Sequence, residues 1–307
     1  MMDKKEVKYM KKLLIIALCL CFVVAACGNK KESENEQREY TTTDDSKVKI
    51  PKNPKRIVLL TANYGSLKKL GVEPVAITNA FPDSKYLGNS KVKKVNPEDV
   101  EAVAKLKPDL IITYKENKNN KKFSKIAPTV PIKVQKLDYK ETHIEYGKLV
   151  NKEDKAKQQA NEVAKKLEQD GKEIKKHIGN DATFSIMDIQ QKDIYQFGPR
   201  FGRGSDILYD GFKVKQDPEA QKAMPAERFM KVPKEKFNDY AGDYLMIPTP
   251  DGKKSKAEFT TSDMWKNNEA VAQNNVIYYD ADEAIYSDLI TIEKQGEQFK
   301  KEIININ

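Results

Sequence analysis

A charged, Pro-free segment in the middle of the chain constrains its fold more than any other feature. From Lys152 to about Ile178, apolar residues recur close to the 3.6-residue period of a helix. Gly171 lies within this segment, and we expect it to bend the helix or to lower its stability slightly. A helix of this length suits a rigid connector between two lobes, and a surface helix of a single lobe is the alternative. The apolar positions are Ala156, Ala160, Val163, Ala164, Leu167, Ile174 and Ile178.

Strand and helix patterns alternate on both sides of this segment. Short apolar runs indicate buried strands, and the sequence NPED at 96–99 indicates the start of a helix. Such alternation with short connections predicts an α/β fold, with two α/β lobes joined by one long rigid helix and a ligand cleft between them. The predicted strands include 56–60, 72–77, 109–114, 129–134, a hairpin of 182–189 with 194–197, 244–247 and 276–279, and the predicted helices include 64–70, 143–150, 204–212, 232–240 and 287–303.

The N-terminal region has the pattern of an export signal. Lys11 and Lys12 precede an apolar run, 13–26, that is too short to cross a bilayer comfortably. The run ends in small residues directly before Cys27, which resembles a bacterial lipobox; an ordinary signal peptide or a short anchor is the alternative. The resemblance implies cleavage before Cys27, acylation of that residue, and a protein held on the outer face of the membrane. The predicted division is a signal peptide at 1–26, a lipidated Cys with a flexible tether at 27–47, an N-terminal lobe at 48–142, a helical connector at 143–179 and a C-terminal lobe at 180–307.

Composition narrows the function classes. All three Cys (Cys19, Cys21 and Cys27) lie at or before the predicted cleavage point, so the exported part has none for disulfides, catalysis or structural metal sites. The formal charge is +9, and five Lys minus two acids before Cys27 contribute three units of it, which leaves +6. Lys is spread along the chain beside acids, and no nucleic-acid-binding motif occurs, so we expect no nucleic-acid partner. We find no motif of a hydrolase elbow, a phosphate loop or a zinc protease, so we expect no enzyme.

Several segments, taken in order, resemble the iron-siderophore binding proteins of ABC importers. The segments at 195–204 and 239–244 are the most particular, and they resemble the ferric hydroxamate binding lipoproteins of staphylococci and related Gram-positive bacteria. The resemblance covers nearly the whole exported chain and implies two α/β lobes joined by one long helix. The matching segments are KNPKRIV at 52–58, LKKLGV at 67–72, DVEAVAKLKPDLII at 99–112, IAPTV at 126–130, YQFGPRFGRG at 195–204 and DYAGDY at 239–244.

The chemistry of such a ligand indicates which residues to seek. A ferric hydroxamate already has six oxygens around its iron, so we expect neither a metal site nor an intrinsic cofactor, and the ferric siderophore itself is the ligand. Arg203 is the leading candidate to donate hydrogen bonds to hydroxamate oxygens, because Arg is scarce in this chain and Arg203 lies in a Gly-rich loop. Tyr195 and Phe201 are candidates for the apolar cleft walls. A turn-capping role for Arg203 and core packing for both aromatics are the alternatives.

Three further tyrosines are candidates for the cleft. Tyr64 and Tyr114 follow predicted strands, at the sheet edge where α/β proteins bind ligands. The resemblance places Tyr286 in the cleft, although Ile285 stands at the family's Trp position and Phe201 replaces another Trp. For Tyr114 and Tyr64, strand-end positions that face solvent are the alternative. Trp265, the only Trp, is interpreted as a core residue.

The resemblance also implies partners. Glu101 and Glu235 match two surface acids, one in each lobe, that contact the permease of the importer; solvated helix-surface positions are the alternative. We therefore expect a monomer that delivers its ligand to an ABC permease and its ATPase. His143 and His177 are interpreted as helix-surface residues without a role. The alternatives for the function are another iron carrier (heme, a catecholate or a citrate complex) and, less favoured, an exported enzyme.

Overall fold

The computed structural model describes residues 36–88, 91–133 and 137–306. Two large β-sheets, each with its own hydrophobic core, form the centre of this part of the chain. The signal peptide and Cys27 lie outside these residues. The residues from Gln37 onward form one compact unit. No helix in the described part combines the length and the apolar character that crossing a bilayer requires.

A β-hairpin precedes the first sheet. Strand β1 (Gln37–Thr41) pairs antiparallel with β2 (Lys47–Pro51), and Tyr40 is buried with its hydroxyl donating to Glu145. This corrects the predicted tether, which extended to residue 47. The reason is that Tyr40 and Ile50 enter the core of the first sheet, so the hairpin has an apolar face to bury.

The first sheet is entirely parallel, as the alternating pattern predicted. Its strands are β3 (Ile57–Leu59), β4 (Ala76–Thr78), β5 (Lys93–Val95), β6 (Leu110–Tyr114) and β7 (Thr129–Ile132), in the order β5-β4-β3-β6-β7. Helices α1 (Tyr64–Leu70), α2 (Val100–Lys105) and α3 (Asn120–Phe123) connect them. We call residues 37–133 the first lobe. The strand predicted over 72–77 is shorter and begins later, and α2 begins after Asp99, whose side chain accepts the Ala102 N–H, and not at Asn96.

The central helical tract joins the two cores. Helix α4 (Tyr139–Leu149) is followed by α5 (Glu153–Ile178). On α5, Ala156 belongs to the core of the first lobe, whereas Ala160, Val163, Leu167 and Ile174 belong to the core of the second. The helix therefore packs on both lobes. A Cβ at Gly171 would lie 2.1 Å from the Phe212 carbonyl oxygen, so this glycine permits a close backbone approach.

The second lobe, residues 180–306, is built on a mixed sheet. Its strands are β8 (Thr183–Ile189), β9 (Ile194–Phe197), β10 (Lys215–Gln216), β11 (Phe229–Val232), β12 (Tyr244–Thr249) and β13 (Val276–Asp280), in the order β11-β9-β8-β12-β13 with β10 beside β8. The predicted hairpin of β8 and β9 is confirmed. Its helices are α6 (Pro218–Ala223), α7 (Phe237–Tyr240), α8 (Asp263–Lys266), α9 (Glu269–Ala272) and α10 (Leu289–Ile304), with a π-helical segment at Asp206–Gly211 and 3-10 turns at Lys234–Lys236, Pro250–Gly252, Glu258–Thr261 and Glu283–Ile285.

Two further sequence predictions are wrong, one in the second lobe and one in the central helical tract. The predicted helix over 232–240 begins only at Phe237, because residues 229–232 pair with β9 and Pro233 interrupts the backbone.

His143 is fully buried on α4, and Gln159 of α5 contacts its Nε2 at 3.0 Å. Burial lowers the pKa of His143 to about 4, so it packs as a neutral side chain and not as a surface residue. Trp265 packs against Phe237 and Phe259 in a core, as predicted.

Polar contacts join the lobes along one side. Helix α1 approaches the start of α10 so closely that a Cβ on Gly65 would lie 1.9 Å from an oxygen of Asp288. Ser84 of the first lobe donates to Glu283 of the second at 2.6 Å, and Lys69 pairs with Glu293 at 3.0 Å. The residues directly after Glu283 and before Asp288, which are Ala284, Ile285 and Ser287, line the large cavity between the lobes.

Candidate ligand-binding cavity

A cavity of about 610 Å³ lies between the two lobes. Its volume is within the range of natural small-molecule sites. The first lobe contributes Ala62, Asn63 and Tyr114, and the start of α4 contributes Asp138, Tyr139 and Thr142. The second lobe contributes most of the remaining wall, which includes Arg200, Phe201, Gly202, Arg203, Asp206, Ala226, Glu227, Arg228, Phe229, Ala284, Ile285 and Ser287.

The loop after β9 presents Arg203 to this cavity. Arg203 has a positive φ of 55° between Gly202 and Gly204, which are also left-handed. Its backbone is held at both ends, because its N–H donates to the Ala284 carbonyl at 3.0 Å and its carbonyl accepts from the Tyr279 hydroxyl at 2.6 Å. Its guanidinium makes one weak hydrogen bond to the described residues, to the Ala281 carbonyl at 3.3 Å. A fixed backbone thus carries a charged fork with most of its donors available.

Two more arginines lie on the same wall, and both share the left-handed backbone. Arg200 has a φ of 61° and Arg228 a φ of 64°. Arg200 approaches Asp210 at 3.6 Å, and Arg228 donates to the Arg200 carbonyl at 3.2 Å. Left-handed backbone is unfavourable for residues with a Cβ, and such strain concentrates at binding sites. Three of the five arginines in the chain are therefore held at one cavity in a conformation that costs folding energy.

An aromatic row crosses this wall. Phe197, buried at the end of β9, stacks on Phe201 with ring centroids 4.7 Å apart, and Phe201 contacts Phe229 at 5.3 Å. Phe229 is 40% exposed, the one large apolar side chain of the described residues that is exposed. The row therefore extends from the core of the second lobe to a free aromatic face at the cavity. Such a face suits an apolar part of a ligand.

The wall of the first lobe is neutral. The Tyr114 hydroxyl at the end of β6 accepts the Ala62 N–H at 2.9 Å, and its ring meets Phe81 edge-on at 6.3 Å. Burial raises the pKa of Tyr114, so it stays protonated. The ring is fixed by these contacts before any ligand binds.

Two buried acidic residues line the cavity. Asp206, only 6% exposed, opens the π-helical segment, and Asp138 begins α4. Asp138 accepts the Glu141 N–H at 2.8 Å as a helix cap. Burial, with further contributions from Asp210 and Asp138, raises the pKa of Asp206 to about 7.

Of the six residues predicted to bind the ligand, the cavity brings together Arg203, Phe201 and Tyr114. Tyr195 does not line it; its ring packs against the core of the second lobe and its hydroxyl contacts Asp193 at 3.4 Å. Tyr64 and Tyr286 line a separate space of about 40 Å³, where the Tyr64 hydroxyl donates to Glu73 and the Tyr286 hydroxyl to the Pro82 carbonyl. Ile285, at the position of the family's Trp, does line the large cavity.

Glu101 and Glu235 are exposed, one on α2 and the other in the 3-10 turn before α7. Each lobe thus presents one of the two predicted permease contacts, away from the cavity lining.

Sequence reasoning missed Arg228, Phe229 and Asp206. Arg228 precedes β11 and Phe229 begins it. The sequence analysis placed neither residue in an element, and β11 is brought to the cavity only by its pairing with β9. The scarcity of Arg was the one signal that could have found Arg228. Within the described ranges, no group of three or more His, Cys, Asp or Glu side chains is placed to hold a metal ion.

Comparison with known proteins agrees with this architecture. The iron(3+)-hydroxamate-binding protein FhuD of Bacillus subtilis (strain 168) is 36% identical over 296 residues, which covers 92% of this chain and 93% of that protein. The solved structure of FhuD from S. pseudintermedius has a TM-score of 0.81 at 35% identity, and covers 88% of this chain and 99% of its own. FhuD2 from Staphylococcus aureus, solved with bound ferrioxamine B, has a TM-score of 0.77 at 37% identity, and covers 82% of this chain and 99% of its own. Since residues 57–283 also match the family model described as periplasmic binding protein, the chain belongs to the periplasmic binding protein family.

Proposed function

We propose that this protein captures ferric hydroxamate siderophores in the cavity between its lobes and delivers them to an ABC import permease. The observation that carries the proposal is the cavity of about 610 Å³ whose wall combines Arg203 with the exposed face of Phe229. The relatives named for iron(3+)-hydroxamate binding and for bound ferrioxamine B support it. They are binding proteins, and we propose a binding role without catalysis.

The residues fit this ligand without supplying a metal ligand. The siderophore saturates the iron with six hydroxamate oxygens, so the protein recognises the outside of the complex. Guanidinium N–H groups donate charge-assisted hydrogen bonds to those oxygens, and Arg203 has donors to spare. Phe201, Phe229 and Tyr114 supply apolar surface for the methylene arms.

A second candidate ligand is an anionic iron carrier, such as a catecholate or citrate complex. The observation that favours it is the number of guanidinium groups, because the wall holds Arg200, Arg203 and Arg228 together. The acids Asp138, Asp206 and Glu227 in the same wall offset this charge, which is why we prefer the hydroxamate.

Fluorescence titration separates these ligands. The purified protein is titrated with ferrioxamine B, ferrichrome, ferric enterobactin, ferric citrate and heme, with the iron-free siderophores as controls. We expect saturable binding of the two ferric hydroxamates and weak or no binding of the others. Binding of heme or a catecholate complex alone would overturn the proposal.

We also propose that the protein acts as a lipid-anchored monomer, with residues 143–179 as the connector between lobes. The support is the lipobox pattern before Cys27, which lies outside the described residues. Changing Cys27 to Ala should release the protein or leave it unprocessed. Normal processing by mass spectrometry with unchanged membrane retention would contradict lipidation.

A further inference from the structure

Glu283 is a buried acid of the second lobe that does not line the cavity, and both of its carboxyl oxygens accept hydrogen bonds from the first lobe. Its Oε2 accepts from the Ser84 hydroxyl at 2.6 Å, and its Oε1 accepts from the Lys85 N–H at 2.6 Å. A buried carboxyl that has lost its donors is unfavourable for folding. The contact between the lobes therefore fixes where this side chain, and the backbone that carries it, can lie.

Glu283 belongs to a short stretch of the second lobe, residues 280–284, that we call the bridging segment. At its start, Asp280 pairs with the Lys85 ammonium at 2.9 Å, but the lysine side chain is mostly exposed, so this pair contributes little. Glu283 and Ser84 are both buried, and their hydrogen bond is shielded from water. We therefore expect Glu283 to hold the bridging segment against the first lobe.

The bridging segment in turn holds Arg203. The Arg203 N–H donates to the Ala284 carbonyl at 3.0 Å, and its guanidinium donates to the Ala281 carbonyl at 3.3 Å. Ala284 directly follows Glu283 in the same 3-10 turn. The positive φ of Arg203 costs folding energy, and such a conformation persists only where its surroundings fix it. Here the carbonyl groups of the bridging segment supply that constraint.

We propose that Glu283 is a positioning residue for ligand binding: through it the first lobe holds the bridging segment, and the bridging segment holds Arg203 at the cavity. The inference rests on the proposed function, because it assigns a positioning role at the same cavity. Glu283 itself does not touch the ligand. Among the described residues the first lobe contributes no arginine to the cavity wall, yet it helps to set the orientation of the arginine that the second lobe presents.

Hydrogen–deuterium exchange of the ligand-free protein tests whether Glu283 holds the Arg203 loop. Glu283→Ala removes both acceptors, so amide exchange in the peptide that covers residues 199–205 should be faster than in wild type. Glu283→Gln should restore the wild-type rate. Its amide oxygen can accept the Lys85 N–H, and its amide N–H can donate to the Ser84 hydroxyl, which is also an acceptor. This rescue separates hydrogen bonding from any effect of charge.

Titration with ferrioxamine B tests whether the positioning serves recognition. Glu283→Ala should weaken binding roughly fivefold, and Glu283→Gln should change it by less than about twofold. In the Arg203→Ala background, Glu283→Ala should cause no further loss of affinity, because the side chain that it positions is absent. A merely structural role would lower the affinity equally in both backgrounds.

Lys69→Ala is the matched control. It breaks the ion pair of Lys69 with Glu293 at 3.0 Å, which also joins the lobes but lies outside the bridging segment. We expect it to leave both the exchange of residues 199–205 and the affinity for ferrioxamine B unchanged. If Glu283→Ala does not fold, Ser84→Ala replaces it, because it removes one of the two donors of the first lobe and should give the same changes at smaller size.

The outcomes distinguish the positioning role from the proposed function. Unchanged exchange of residues 199–205 in Glu283→Ala, no loss of its affinity, or an equal loss with and without Arg203 would overturn the positioning role while the proposed function stands. Equal effects in Lys69→Ala would overturn it too, since any contact between the lobes would then suffice. Failure of wild type to bind ferrioxamine B and ferrichrome would overturn the proposed function, and the exchange experiment would still decide whether Glu283 holds the Arg203 loop.

Discussion

The two lobes contribute to the same cavity in different ways. The first lobe provides a neutral wall in which Tyr114 is fixed by the Ala62 amide. The second lobe provides three arginines on left-handed backbone and an exposed phenylalanine. From this difference we infer that the proposed ligand is recognised mainly by the second lobe, whereas the first lobe supplies a preformed surface.

The two sheets account for this difference. The first sheet is parallel throughout, so its strands end at one edge and leave short connections there. In the second sheet, β9 and β11 pair antiparallel, and the loops that precede β11 and follow β9 therefore lie side by side. That pairing places Arg203 and Arg228, 25 positions apart in sequence, on one wall.

Replacing Arg203 should have the largest effect on affinity. Hydrogen bonds from a charged donor contribute about 1.5–3 kcal/mol, so Arg203→Ala should weaken binding of ferrioxamine B roughly 10- to 100-fold. Arg203→Lys should recover only part of the loss, because Lys lacks the planar fork. The melting temperature of the ligand-free protein should change little. Wild-type affinity of Arg203→Ala for every ferric hydroxamate would place recognition outside this loop.

Removing the exposed aromatic face should have a smaller effect. Phe229→Ala deletes an apolar contact of about 1 kcal/mol, which corresponds to an affinity about fivefold lower, with little change in stability because the ring is 40% exposed. Tyr195→Ala, a partly buried aromatic on neighbouring β9, is the matched control, since it does not line the cavity. Both affinities are measured by titration. If Tyr195→Ala loses more affinity than Phe229→Ala, Tyr195 contributes to ligand binding after all.

Ligand affinity should depend less on the wall of the first lobe. Tyr114→Phe keeps the ring and removes a hydroxyl that already serves the Ala62 amide, so we expect affinity to change by less than about threefold. Stability should fall modestly, because the Ala62 N–H loses its acceptor. A loss of affinity comparable to that of Arg203→Ala would show that the two walls contribute equally.

The smallest effect on affinity is expected outside the cavity. The double replacement of Glu101 and Glu235 by Ala should leave ligand affinity unchanged while iron uptake by whole cells falls, because both acids are exposed and one lies on each lobe. Replacing Glu116 and Glu219, an exposed acid of each lobe, is the matched control and should not reduce uptake. Normal uptake in the Glu101/Glu235 variant would show that these residues do not contribute to the permease contact.

Sequence reasoning predicted much of the fold, and three of its six candidate ligand-binding residues line the cavity. The long helix α5, the parallel first sheet and the β8–β9 hairpin follow from local periodicity, which a single segment carries by itself. Arg203 and Tyr114 could be identified from the sequence, because a Gly-flanked Arg and a Tyr at the end of a strand are local patterns. The resemblance to siderophore-binding proteins is confirmed by the relatives.

The remaining differences have physical causes at longer range. Tyr195 lies two residues before the buried end of β9, and its side chain points to the face of the sheet that packs on the core. His143 is buried because α5 folds back on α4 and covers that face. The neighbours of these residues along the chain determine neither which face of the sheet packs on the core nor which face of a helix is covered by another helix.

By itself, the sequence determined the absence of Cys after residue 27, the two α/β segments and the helix between them, because each depends on composition or on short-range periodicity. It also contains the pattern from which we predict an export signal. Only the tertiary structure decided which side chains meet in the cavity. Arg228 and Phe229 reach Arg203 through the pairing of β11 with β9, and Asp206 joins the same wall because the π-helical segment packs against α5 and α10. Contacts between residues distant along the chain depend on how whole elements pack, and local sequence carries no record of that.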